Sequence, residues 1–297
     1  MLEILNISKR LNKKEIIKNV SFSLRKNEII ALVGPNGAGK TTLLNLISNL
    51  IQPDEGEILL NKSNISNNNS FYNYISFMQD SSILYGNLTG YQHLKFIAKI
   101  HNKDINNVRE IIKTLNMSNY INKKTKKYSL GMKQHLILGM SLISQPKILI
   151  LDEPLNGLDP ESSLLLRNIL LNLKNEDTAI LFSSHVLSEV DKIADKIIFV
   201  KEGEIISIID NSIHKDNGDI YTLEIDNISK VIDIFENNSI KIEKISENRI
   251  TIKIETNQFN EIMSLLLEND IQVLAIEKAK KKLSEDYYYD LLGGNYE

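Results

Sequence analysis

The sequence predicts an α/β protein in two parts. A largely parallel core with antiparallel strands at its front spans residues 1–215, and a small α+β domain spans residues 216–297. Three observations carry that expectation. Short β-branched runs alternate with helical patterns along the first part, which indicates parallel strands joined by helical crossovers. After about residue 215 the texture changes to the order β-α-β-β-α-β, the split βαβ arrangement. The length, 297 residues, also exceeds the usual size of one compact domain.

Each element has its own signal. Residues 1–30 alternate as strands, LEILNI and IIKNVSFSL, around a charged turn at Lys13, Lys14 and Glu15. EIIALVG is a short apolar run ending in glycine, and GAGKTTLLNLISNL continues it as a helix. GEILLN and FYNYISFM read as two further strands around an Asn/Ser-rich surface loop, SNISNNNS. From Thr89 to Thr114 the pattern is helical, opened by a capping box at Thr89-Gly-Tyr-Gln92. Tyr128-Ser-Leu-Gly-Met-Lys-Gln134 precedes a buried helix, and is either an ordinary cap or half of an anion site. A buried strand at KILILDEP, a helix over roughly 161–174 and an apolar strand at TAILFSS follow. A helix, HVLSEVDKIADK, and a hairpin, KIIFVKEGEIISI, complete the first part. The second part reads YTLEI, a helix near 228–237, IKIEKI, RITIKIE, a helix near 257–268, QVLAIEK, and a short closing helix at LSEDYYYDLLG.

Composition excludes several function classes. The chain carries 35 basic and 38 acidic residues, net −3, so no strong positive field draws nucleic acid, and no such partner is expected. There is no cysteine, which removes disulfide frameworks and thiolate metal sites. The start, MLEILNISKRLNKK, lacks the order of a signal peptide, and the runs LILGMSLI and ILIL are too short to span a membrane. A soluble chain is expected, with any membrane role reached through a partner. The lysine runs at 123–127 and 278–282 read as solvated faces.

Two motifs carry chemistry. Gly34-Pro35-Asn36-Gly37-Ala38-Gly39-Lys40-Thr41 matches the phosphate-loop pattern G-x-x-x-x-G-K-[ST], with a strand entering and a helix leaving. Glycines let successive N–H groups and the helix N-terminus face an anion. Lys40 is placed to reach β- and γ-phosphates, the Thr41 hydroxyl to bind Mg²⁺, and Thr42 to donate to an α-phosphate. Ile148-Leu-Ile-Leu-Asp-Glu153 is a buried strand ending in two carboxylates. Asp152 can hold Mg²⁺ through water, while Glu153 can orient an attacking water and accept its proton.

With both motifs in place, residues 1–210 resemble the ATP-binding subunit of an ABC transporter. The resemblance implies a P-loop NTPase cassette with a RecA-like parallel core, an antiparallel β subdomain and a helical subdomain, using ATP and Mg²⁺. Gln79 in ISFMQD falls where the family has a glutamine contacting Mg²⁺ and the attacking water. YSLGMKQ falls at the LSGGQ-type signature, with Ser129, Gly131 and Met132 acting in trans on a partner's nucleotide. Asn156-Gly-Leu-Asp159 resembles the D-loop, and His185 in SSHVLSE the switch histidine that contacts the γ-phosphate. Singly, Gln79 and His185 read as ordinary surface or core residues; their joint order is the signal. His93, His101, His135 and His214 match no motif and read as structural or exposed.

Two departures stand out. Leu11 lies where the family stacks an aromatic ring on adenine; leucine can cover the base but forgoes stacking of about 1 kcal/mol. Leu130 and Met132 replace the second-position glycine and the glutamine of the signature. This SLGMKQ form is similar to that of ATPases serving bacitracin-, lantibiotic- and other drug-exporting permeases, whose C-terminal extension ends in an LEDVF-like helix resembled by KKLSEDYYYDLLGG. The resemblance implies a head-to-tail pair of cassettes, a homodimer, held by a permease at the cytoplasmic face of the membrane. Ile83, Leu84 and Tyr85 are either permease contacts or core residues. The extension is either an accessory domain or a dimer brace. The rival readings are a soluble ABC ATPase acting on ribosomes or DNA, and a ligand-sensing regulator.

Overall fold

The computed structural model describes residues 1–279 apart from 68, 212–218, 239, 247 and 255–257. The expected closing helix over 283–293 and His214 lie outside the described residues. The chain divides into two compact units, the first over Met1–Ile209 and the second beginning at Asp210. The second unit thus begins a few residues before the boundary expected after residue 215.

In the first unit, β1 (Leu2–Leu11) and β2 (Lys14–Leu24) form an antiparallel hairpin. Asn12 and Lys13 make its turn with left-handed φ values of 50° and 68°. On the other edge of β1 lies β4 (Glu55–Leu60), followed by β5 (Ser63–Asn64), giving the order β2-β1-β4-β5. The predicted loop SNISNNNS thus contains a short strand, and the predicted strand FYNYISFM is only half strand. Residues Asn69–Asn73 form a 3-10 helix, and only β6 (Ile75–Met78) is extended. Here Phe71 is fully buried while Tyr72 and Tyr74 are exposed. That burial pattern is also the one strand alternation would give; here the Tyr74 N–H donates to the Phe71 carbonyl, closing a tight turn in place of a strand ladder.

The main sheet has the order β10-β9-β3-β8-β7-β6. Its parallel ladder joins β6 and β7 (Ile148–Leu151), β7 and β8 (Ala179–Ser184), β8 and β3 (Ile29–Val33), and β3 and β9 (Lys196–Lys201). β3, β7 and β8 are buried at every position, as strands covered on both faces should be. Beside β9 runs β10 (Glu204–Asp210). Ile30, Leu32, Ile150, Leu181 and Val200 share one core with Leu43, Leu44 and Ile47 of α1 (Lys40–Ile47), and with Ile4, Ile7 and Phe22 of the antiparallel sheet. Each fully buried aliphatic side chain there is worth roughly 1.5–3 kcal/mol.

The long helical pattern from Thr89 is two helices, α2 (Gly90–Ile100) and α3 (Ile105–Thr114). The expected capping box at Thr89 and Gln92 is formed, and a second one, Asp104 with Asn107, starts α3. That second cap, preceded by Asn102 at φ 52°, ends the first helix. α4 (Leu130–Leu142), α5 (Pro160–Asn175) and α6 (Leu187–Ile193) complete the unit.

The second unit has four antiparallel strands, β11 (Asp219–Ile225), β12 (Ile242–Ser246), β13 (Arg249–Ile254) and β14 (Val273–Ala279), in the order β12-β13-β11-β14. With α7 (Ile228–Asn237) and α8 (Phe259–Glu268) this is the split βαβ order read from the sequence. Its own core holds Leu223, Ile225, Val231, Phe235, Ile250, Ile252 and Leu266.

Candidate nucleotide-hydrolysis site

The sheet order decides which residues meet. β3, β8, β7 and β6 are consecutive and parallel, so their C-terminal ends lie along one edge. Out of those ends come Gly34, His185, the pair Asp152 and Glu153, and Gln79. In open α/β sheets this edge is where ligands bind. The Asp152 N–H donates to the Met78 carbonyl at 3.0 Å, tying the end of β7 to the residue before Gln79.

The loop after β3 is shaped by its glycines. A Cβ on Gly34 would lie 2.1 Å from the Val200 carbonyl oxygen, so no larger residue fits against β9. Gly39 adopts φ 104°, with Ile16 and Ile17 of β2 packed against it. As N-cap of α1 it brings no capping side chain, and the first turn has no acidic residue. The helix N-terminus is left without a side-chain acceptor, the arrangement that suits an anion. Leu11 ends β1, 41% exposed, on the hairpin whose other strand borders Gly39.

Around this loop the polar groups interlock. The Lys40 ammonium, buried, donates to the Gly34 carbonyl at 2.7 Å and the Pro35 carbonyl at 3.2 Å, and lies 3.9 Å from the Glu153 carboxylate. Burial lowers its pKa, opposed by the charges of Glu153 and Asp152. The Thr41 hydroxyl donates to Asp152 Oδ2 at 2.8 Å. His185 Nδ1 lies 2.8 Å from Glu153 Oε2. Glu153 itself takes a left-handed φ of 47°, a conformation that costs a non-glycine residue energy and persists where surrounding contacts impose it.

Thr41 and Asp152 offer a pair of hard oxygens in direct contact, with Gln79 on the adjoining strand end. This donor set fits Mg²⁺, which takes one or two protein oxygens and completes its shell with water and phosphate. Among the described residues no three His, Cys, Asp or Glu side chains converge into a metal cage.

The signature residues gather elsewhere. Ser129 does cap α4, its hydroxyl accepting from the Met132 N–H at 3.2 Å. Asp159 caps α5, accepting from the Ser162 N–H at 2.8 Å, which holds its carboxyl below the usual range. Ser129, Gly131, Met132, Asp159 and His135 line a common cleft of about 240 Å³ to which the phosphate loop contributes nothing.

Two residues of these surroundings escaped the sequence reading. His135 faces the signature cleft, with Nδ1 3.4 Å from the Tyr120 hydroxyl; burial lowers its pKa and the Asp159 charge raises it. Its spacing from Ser129 and Met132, one helical face, was the available signal. Ser183, inside β8, contacts both carboxylate residues. A serine in an apolar strand carries no local sign of that.

Comparison with known proteins agrees with this geometry. A family model described as "ABC transporter" matches residues 17–156. The lantibiotic transport ATP-binding protein SrtF of Streptococcus pyogenes is 37% identical over 206 residues, 69% of this chain and 89% of that protein. The bacitracin transport ATP-binding protein BcrA of Enterococcus faecalis is 30% identical over 299 residues, 99% of this chain and 97% of that protein. The ATP-binding subunit of an ABC transporter matches in structure with a TM-score of 0.66 at 24% identity, over 72% of this chain and 92% of that one. A dimeric bacterial ABC transporter cassette matches with the same score at 22% identity, over 71% and 99%. These two structural likenesses speak to the fold. The sequence matches place the chain in the ABC transporter family, among its ATP-binding subunits.

Proposed function

We propose that the chain binds and hydrolyses ATP to drive a separate membrane permease, and that the permease exports a peptide antibiotic, drug or lipid-like molecule. The observation that carries the reading is the convergence of Lys40, Thr41, Asp152, Glu153 and His185 at one sheet edge, with Thr41 2.8 Å from Asp152, His185 2.8 Å from Glu153 and Lys40 3.9 Å from Glu153. Lys40 and the loop N–H groups between Asn36 and Thr42 hold the triphosphate. Lys40 exchanges its loop carbonyls and Glu153 for β- and γ-phosphate oxygens. Glu153, released from that ion pair, accepts the proton of the attacking water, and His185 holds its carboxylate in place. Thr41, Asp152 and Gln79 hold Mg²⁺, which neutralises phosphate charge when bound. Leu11 covers the base.

Ser129, Gly131, Met132 and Asp159 belong to a cleft apart from the phosphate loop. They act on the nucleotide of a second copy of this chain, in a head-to-tail pair. The permease meets the face around residues 83–100, where Ile83, Tyr85, Phe96 and Ile100 are exposed. Exposure favours the contact reading of Ile83 and Tyr85 over the core reading, while Leu84 is half-buried. Among the described residues no helix is long and apolar enough to cross a membrane, so attachment to the cytoplasmic face runs through that permease. The split βαβ unit is an accessory domain; the BcrA relative, matched over 97% of its length, shares a chain of this extent.

The test is affinity purification of the tagged protein from detergent-solubilised membranes. A multispan membrane protein should co-elute, and Tyr85→Asp with Phe96→Asp should abolish its recovery. Recovery with ribosomes instead would replace the transport reading.

A further inference from the structure

Ser183 is fully buried in β8, the strand next to β7. Leu151 pairs with Phe182, so the residue after Phe182 lies beside the peptide that joins Asp152 to Glu153. Its hydroxyl donates to Asp152 Oδ1 at 2.6 Å and accepts from the Glu153 N–H at 2.8 Å. The other carboxylate oxygen, Oδ2, receives the Thr41 hydroxyl. Asp152 is therefore gripped on both oxygens, one grip coming from the phosphate loop and one from β8.

We propose that Ser183 is a positioning residue for hydrolysis, acting through both carboxylates at once. The donated bond sets the rotation of Asp152, so that Oδ2 stays turned toward Thr41 and the cation position. The accepted bond orients the peptide plane from which Glu153 projects at its left-handed φ, and so aims its carboxylate toward Lys40 and His185. A Thr41 hydroxyl lone pair can face a cation while its O–H still donates to Asp152 Oδ2, and the Ser183 bond fixes the other carboxylate oxygen, so that the two together set its rotation. Without the Ser183 hydroxyl, Asp152 can rotate and the part-buried Glu153 N–H loses its partner. Outer hydrogen-bond partners of metal-binding carboxylates are worth about 10- to 100-fold in metal affinity or activity. This inference rests on the roles proposed above for Asp152 and Glu153.

The test separates metal-dependent from metal-free nucleotide binding. Calorimetric titration with ATP is run in Mg²⁺ and in EDTA on the full chain, and Mn²⁺ serves as the metal probe by electron paramagnetic resonance. Ser183→Ala should keep its EDTA affinity within about twofold and lose about tenfold or more of the enhancement by Mg²⁺, with a matching loss of Mn²⁺ affinity. Ser183→Thr should recover most of that enhancement and Ser183→Val should not, since the pair matches in shape and differs in the hydroxyl. That pair decides the matter where Ser183→Ala melts too low to assay. Ser184→Ala, a buried neighbour whose hydroxyl accepts from the Val186 N–H, should keep the full metal response. A normal Mg²⁺ enhancement in Ser183→Val, or equal losses with and without metal, would overturn the proposal. Asp152→Asn run alongside tells the levels apart: if it too keeps the enhancement, the role of Asp152 fails rather than that of Ser183.

Discussion

Replacing Glu153 by glutamine removes one charge and almost no volume, and the geometry sets what should follow. Glu153 lies 3.9 Å from the Lys40 ammonium and 2.8 Å from His185 Nδ1. Unit charges at that separation attract by roughly 1 kcal/mol in bulk water and roughly 4 kcal/mol at an effective dielectric of 20. The Lys40 side chain is 7% exposed and that of Glu153 25%, so solvent screens the pair in part and the loss should be about 1–2 kcal/mol. That loss falls on the protein without nucleotide. With ATP bound, Lys40 faces phosphate oxygens and the Glu153 charge stands near the same anion, so its removal relieves repulsion. Both effects favour binding, and Glu153→Gln should hold ATP about tenfold more tightly than the wild type. Turnover should fall by about 10²–10⁴, the worth of a positioned general base. Phosphate release at saturating ATP measures the second effect and calorimetric titration the first; size-exclusion chromatography with ATP should show a trapped dimer. Unchanged turnover would remove Glu153 from the base role. A loss of ATP affinity would refute the charge argument even if turnover fell.

Other outcomes follow from neighbouring contacts. Lys40→Ala removes the one buried cation of the phosphate loop, and nucleotide affinity should drop by about ten- to a hundredfold, read by titration with ATP in Mg²⁺. Gly39→Ala places a Cβ 2.9 Å from Ile17 and 3.0 Å from the Ile16 carbonyl oxygen at φ 104°. The left-handed backbone alone costs about 1–2 kcal/mol, so thermal melting should fall and ATP should stabilise the variant less than the wild type. Stability against acid tests two half-buried histidines. Burial lowers the pKa of both His101 and His135 from 6.5, so between that value and their folded pKa the unfolded chain binds more protons. Stability is therefore present above pH 6.5 and is lost as pH falls below it. His135→Gln should flatten part of that decline in urea unfolding between pH 5 and 7; an unchanged pH profile would mean His135 contributes nothing to it.

What the sequence determined by itself was local. The strand–glycine–helix transition at Gly34–Thr41, the capping box at Thr89 and the strand ends before Asp152 and His185 are short-range chemistry, because a few consecutive residues set the backbone there. The order of elements in the second unit was legible for the same reason. Where local signals conflicted, tertiary burial decided: Phe71 turns inward on a 3-10 helix in a stretch that alternates like a strand. The capping box at Asp104 divides α2 from α3 inside a pattern that reads as one helix. Only the tertiary structure decided which strand ends meet. Parallel neighbours have no hairpin to announce them, and β6, β7, β8 and β3 come together across the whole first unit because their apolar faces share one core. From that ordering come the contact of Thr41 with Asp152, of His185 with Glu153, and the two bonds of Ser183. A buried hydroxyl shows its purpose only beside its partners, since its cost is offset by bonds that no stretch of sequence displays.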